Sequence, residues 1–388
     1  FETTRGQLVA SHCGSKIKHE HVPVLDLLRL FAALGVVLFH YAFRGAAAEN
    51  FTVVSLPSIE SVAKYGWFGV QLFFVISGFV IARSAVGRGP VQFGIARFAR
   101  LWPAFVVCTT LTALVTWLFG APRFETSVPQ WLANLTMVAP AFRQPFMDGA
   151  YWSIVIEITF YAWLALFMAL GQFPKRTDDI VLGWLSIALI NEALIHSSVM
   201  RHLFMTEYAG FFCAGILIAE IAGGRRGWQA PFLIVVSTVI ACSEALVGAR
   251  ETAVHYSVPF STAMMITLTV LSVALVWLAS RIRSLPLPKG VLLATGGLTY
   301  PLYLLHQHIG YIAFNQLHEH APAWLLVLGM TLAMVALSYV IWRYIEPTGR
   351  RLVTVILTAV AEVALPPLAQ FASWYARKAS SWISGVPV

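Results

Sequence analysis

The chain is 388 residues long, 58% hydrophobic and 11% charged, with a mean hydropathy of +0.74. Ordinary soluble domains carry about 25% charged residues, so this composition excludes a large soluble core and indicates an integral membrane protein. The net charge of +8 does not point to nucleic acid, because the basic residues gather at the ends of apolar runs, where charge sets topology.

Residues 1–21 are polar, start without Met, and read as an N-terminal tail or remnant outside the fold. Ten apolar segments follow, each long enough to cross about 30 Å of hydrocarbon. They are 22–43, 67–86, 98–119, 150–171, 180–199, 203–222, 229–247, 259–280, 291–314 and 323–344. With the N-terminus inside, most of the 26 Lys and Arg fall on the inner side, as the positive-inside rule requires. The expected fold is therefore an all-α, polytopic membrane protein of about ten transmembrane helices with both termini cytoplasmic. Its transmembrane unit covers 22–350. The stretch 351–388 is apolar but interrupted by Pro366–Pro367, and reads as an interfacial or cytoplasmic tail.

The first segment carries Arg29 and His40. Eleven helical steps of about 100° bring both onto one face, roughly 16 Å apart along the axis. An Arg inside an apolar span costs about 2.5–3.5 kcal/mol on insertion scales. Asp26, one turn below, could pair with it. The second segment holds Gln71 and Ser77 in mid-membrane. The third opens with Arg97 and Arg100, three apart, at the inner surface. The fourth reads YWSIVIEITFY, with Ser153 one turn above Glu157, and Glu157 at a depth comparable to His40. In the ninth, Thr299, Tyr303 and His306 share a face and His308 points elsewhere. Trp67, Trp102 and Trp152 read as interfacial aromatics. Four cysteines (Cys13, Cys108, Cys213, Cys242) show no metal-type spacing, and no metal site is expected.

A His and a Glu at one depth suit acid–base work, and inner arginines suit a phosphate-bearing ligand. That arrangement fits an enzyme using a cytoplasmic phosphorylated donor. It equally fits a proton-coupled transporter or flippase, although the inverted repeats of such transporters are not found.

These residues resemble the acyltransferase-3 family of integral membrane acyltransferases. The resemblance runs from about 22 to 350 and rests on elements in the family's order: Arg29-x10-His40, LFFVISGF (72–79), RFARLWP (97–103), YWSIVIEITFY (151–161), LTYPLYLLH (298–306) and Glu346-Pro347. The family transfers acyl groups, usually acetyl from acetyl-CoA, to hydroxyls of lipopolysaccharide, exopolysaccharide, peptidoglycan, Nod factors or antibiotics. The resemblance implies a bacterial cytoplasmic (inner) membrane, acetyl-CoA as donor and a sugar hydroxyl of a polysaccharide or glycolipid as acceptor. It implies His40 as catalytic base assisted by Glu157, and Arg29, Arg97 and Arg100 on the coenzyme A phosphates. Ser77, Ser153, Tyr300 and His306 are implied as substrate-contacting or supporting residues. One departure is that segment four has a single acid where many members have two. Another is that no extracytoplasmic hydrolase-like domain is appended, as it is in some members.

Overall fold

The computed structural model describes residues 22–384, so the polar tail and Cys13 lie outside the described residues. All regular structure among them is helical. Helix α1, Pro23–Phe39, starts on a proline, whose fixed φ and missing N–H suit a first turn, and runs on as a wider-turned π-helix, His40–Ala48. The changeover falls on His40, and such π turns concentrate at functional positions. After α2 (Pro57–Ala63) come α3 (Gly69–Ala85) and α4 (Pro90–Phe119, with Pro103 inside it). Helix α5, Val128–Asn134, is capped by Ser127, whose Oγ accepts from the Gln130 N–H. Helices α6 (Trp152–Ala169), α7 (Thr177–Ile190), α8 (Ser198–Phe204) and α9 (Ala209–Ala222) follow. Then come α10 (Gln229–Tyr256), α11 (Thr262–Ala279), α12 (Lys289–Leu317), α13 (Ala323–Val340) and α14 (Glu346–Ser384).

Among the described residues, eight helical runs are long and apolar enough to cross a membrane. Two of the ten expected segments do not meet that description. Residues 180–199 form the short α7 and a single π turn, Asn191–Ile195. Residues 291–314 lie in α12, which is long but carries His306, Gln307 and His308 at its centre. The C-terminal stretch is one unbroken helix with 346–350 and continues through Pro366–Pro367.

Helix α3 packs most extensively on α9, and α9 on α10, while α1 is held between α12 and α3. Gly78 and Gly215 let α3 and α9 touch backbone to backbone. A Cβ on Gly78 would run into the Phe212 carbonyl, and one on Gly215 into that of Val75. Membrane helices lack a hydrophobic drive to associate, so such small-residue contacts and van der Waals packing hold them together. Large apolar side chains such as Phe31, 73% exposed on α1, face outward, as lipid requires. Two cavities lie where α1, α3, α6 and α12 converge.

Candidate active site

Three cavities follow one another through the bundle. One of about 240 Å³, called outer after the expected topology, is lined by His40 and Arg44 of the π-helix, by Trp67, Trp152 and Tyr256, and by Glu192, Glu207, Glu244 and Glu251. An inner one of about 170 Å³ is lined by Arg29, Arg97, Arg100, Ser77, Glu157 and Tyr300. The two have only Val70 and Tyr303 in common. The inner cavity in turn shares Arg29, Arg100 and Gly296 with a larger vestibule of about 1420 Å³.

Tyr303 is fixed at the junction. Its hydroxyl donates to the Ala150 carbonyl at 3.0 Å and lies 2.7 Å from Ser153 Oγ. One residue of α12, held to the start of α6, thus separates the two chambers.

On the outer side, His40 is buried and its protonation pattern follows from its neighbours. His306 Nδ1 lies 2.8 Å from the Tyr303 carbonyl and 3.1 Å from that of Leu302. Carbonyls only accept, so His306 Nδ1 carries the hydrogen and His306 Nε2 is left as an acceptor. His40 Nδ1 sits 3.0 Å from that Nε2 and 2.9 Å from the Val36 carbonyl, and so it too carries its hydrogen. The lone pair of His40 is then on Nε2, where the Arg44 Nη1–H donates to it at 3.4 Å. Arg44 is itself held by Glu49 at 2.5 Å. The imidazole is therefore held with its lone pair on Nε2, beside a guanidinium.

Asp148 stands behind this pair. It is fully buried, its Oδ1 accepts from the Ala150 N–H at 2.8 Å, and its Oδ2 accepts from the His308 N–H at 2.9 Å. Burial pushes its carboxyl up, but hydrogen bonding from His308 outweighs that and holds it below the ordinary carboxylate range.

On the inner side, Glu157 accepts from Ser77 Oγ at 3.2 Å and from the Tyr161 hydroxyl. Arg29 is 3.4 Å from Asp26, and Arg100 is 2.5 Å from Glu346. Arg97 Nε and the Tyr300 hydroxyl are buried without a partner, so the cavity carries a free donor and a group able to donate or accept. Buried polar groups are normally paired, and both line the space where a ligand would lie.

The sequence expectations divide accordingly. Arg29, Arg97, Arg100, Ser77, Ser153 and Tyr300 gather on one cavity. His306 reaches His40 as its shared face allows, and His308 turns instead to Asp148. Glu157 and His40 line different cavities. Glu157 faces the inner cavity, and the partners of His40 are His306, Val36 and Arg44. Trp67 and Trp152 line the outer cavity, while Trp102 donates to the Leu135 carbonyl at 3.0 Å. Sequence reading missed Arg44, although it lies one turn beyond His40, and missed Asp148, whose signal is an Asp just ahead of a helix start.

A family model described as an acyltransferase domain matches residues 22–343. Nodulation protein 10 of Rhizobium leguminosarum bv. viciae is 26% identical over 377 residues, covering 87% of this chain and 96% of that protein. Exopolysaccharide production protein ExoZ of Rhizobium meliloti is 30% identical over 260 residues, 62% of this chain and 75% of its own length. Peptidoglycan O-acetyltransferase OatA of Listeria monocytogenes is 26% identical over 192 residues, 44% of this chain but only 28% of that larger protein. No solved structure matches the chain.

Proposed function

The chain belongs to the family of integral membrane acyltransferases defined by that domain, and from this premise we propose that it is an O-acyltransferase of a surface polysaccharide or glycolipid in a bacterial inner membrane. Acyl-CoA, most simply acetyl-CoA, enters from the cytoplasmic side, and a sugar hydroxyl is acylated at the outer side. The observation that carries this reading is the pair of cavities meeting at Tyr303 and Val70, one holding an oriented imidazole and the other three guanidinium groups. The names of relatives, which include a peptidoglycan O-acetyltransferase and an exopolysaccharide production protein, favour a glycan acceptor.

In this reading Arg29, Arg97 and Arg100 meet the donor's diphosphate where the pantetheine arm begins. Arg97 Nε and the Tyr300 hydroxyl bond the polar groups of the pantetheine arm, which carries the thioester past Tyr303. His40 Nε2 takes the proton of the acceptor hydroxyl as its oxygen bonds to the thioester carbon. The resulting oxyanion faces Arg44, a fixed positive charge of the kind that stabilises such intermediates. The carbon–sulfur bond then breaks, and the proton on His40 goes to the departing thiolate. His306 Nε2 accepts from His40 Nδ1–H throughout and fixes the tautomer and orientation of the ring, part of the task a carboxylate performs in a serine triad. Glu157 acts on the donor side, holding Ser77 and Tyr161 along the inner cavity.

The test is acetyl transfer from labelled acetyl-CoA by the purified protein, together with mass spectrometry of surface glycans from cells with and without it. Loss of one acyl group per modified sugar in the knockout is the expected result. Unchanged glycans, with a substrate taken up unmodified into liposomes, would establish the transporter reading instead.

A further inference from the structure

We propose that the vestibule is a nucleotide site, built by the start of α14, that takes the adenosine 3′,5′-bisphosphate end of the donor; this rests on the acyl-CoA reading above. Arg350 and Arg351 lie beyond the matched segment 22–343 and beyond the Glu346-Pro347 element of the resemblance, so neither gives them a role. Yet α14 packs along α4 and supplies Glu346, Arg350 and Arg351 to the vestibule wall, opposite Arg29 and Arg100.

Size separates the two inner spaces. The inner cavity, about 170 Å³, is below the roughly 300–1,000 Å³ of sites that enclose drug-sized ligands, and suits only a narrow arm. The vestibule, about 1420 Å³, has room for a nucleotide. Charge separates them further. In the neck, Arg29 is offset by Asp26 and Arg100 by Glu346. Arg350 and Arg351 are exposed; Arg350 feels the charge of Glu346 without closing an ion pair on it, so both guanidinium groups keep N–H faces open to phosphate oxygens, which guanidinium binds in bidentate fashion. Glu346 adds an acceptor. It is 7% exposed, one carboxylate oxygen is taken by Arg100 and the other, Oε1, is buried with no partner. Trp342 supplies an aromatic ring to the same wall, a surface on which a purine can stack. Two exposed guanidinium groups and a ring on the wall of a space this large together describe a nucleotide more closely than a bare anion.

Anionic lipid headgroups offer the same phosphate chemistry at the inner membrane surface, and the test must separate the two sources. The full-length protein is placed in nanodiscs of phosphatidylcholine alone or with phosphatidylglycerol. Calorimetry then measures binding of coenzyme A, adenosine 3′,5′-bisphosphate and 4′-phosphopantetheine. Replacing both Arg350→Ala and Arg351→Ala should weaken coenzyme A and the bisphosphate by about tenfold or more, the loss expected for a charged hydrogen bond. It should leave 4′-phosphopantetheine unchanged, in both lipids. Arg343→Ala is the control; Arg343 sits over the Tyr344 ring and does not line the vestibule. The proposal is overturned if the double variant binds coenzyme A as the wild type does, if phosphopantetheine weakens equally, or if only retention of phosphatidylglycerol is lost. Wild-type protein that binds phosphopantetheine as well as coenzyme A overturns this site alone. Wild-type protein that binds none of the three probes overturns the donor reading as well.

Discussion

The outer cavity is walled by rings and carboxylates around one imidazole, and the inner cavity by guanidinium groups around one carboxylate, although the two share the Tyr303 side chain. In the proposed function, this contrast separates donor recognition from chemistry along the membrane normal. Arginines suit a polyanionic donor that stays on its own side. Trp67, Trp152 and Tyr256, with glutamates nearby, suit a neutral, hydroxyl-rich acceptor whose faces stack on rings and whose hydroxyls donate to carboxylates. Replacing His40 and replacing an inner arginine should therefore fail in different ways.

The largest effect is expected at His40. His40→Ala should lower kcat about 10²–10⁴-fold, the usual contribution of a general base, while coenzyme A binding stays near wild type. Parallel loss of donor binding would break the separation of the two chambers. Next, Arg97→Ala or Arg100→Ala should cost about 1.5–3 kcal/mol, the worth of a hydrogen bond to a charged group. Steady-state kinetics should register it in the donor KM, with kcat less affected. An effect confined to the acceptor KM would contradict the inner assignment.

Asp148 tests the support behind the outer chamber. Because its carboxyl is held below the ordinary range, its contribution to stability is complete above about pH 4 and fades as pH falls through the folded value. Asp148→Asn should cost about 1–3 kcal/mol at neutral pH, the penalty for disturbing a buried hydrogen-bonded group. Thermal unfolding should show the gap to wild type closing below about pH 4; a gap that widens there would refute the ionised, bonded carboxylate. The smallest effect is expected from Glu157→Gln, which keeps the shape and still offers Ser77 and Tyr161 an acceptor. About 0.5–1.5 kcal/mol, felt in the donor KM, is the expected cost. A kcat collapse matching His40→Ala would instead join Glu157 to His40 as one catalytic unit.

Much of this architecture is legible in the sequence, for physical reasons that also mark where legibility stops. Apolar length gives the helices, and the cost of charge in hydrocarbon is enough to single out Arg29, His40 and Glu157. Helical phase brings Tyr303 and His306 to one face, and both reach the site. Counting along a helix gives depth, however, and not which neighbour a residue meets. Glu157 therefore reads as level with His40 although α6 turns it toward Ser77 on α3 and Tyr161 one turn on. Arg44 and Asp148 fall in a π-helix and a loop, beyond the windows where periodicity speaks. Arg350 reads as an ordinary inner-surface charge, and only the packing of α14 on α4 brings it to the vestibule.

Sided labelling of single cysteines tests the two-sided account most directly. Glu251→Cys, on the outer cavity, and Gln92→Cys, on the vestibule, are each introduced into a chain whose native cysteines have been replaced. A membrane-impermeant thiol reagent is then applied to intact spheroplasts. The account predicts that position 251 reacts at once and that position 92 reacts only after the membrane is opened. Labelling of both positions from the same side would contradict it.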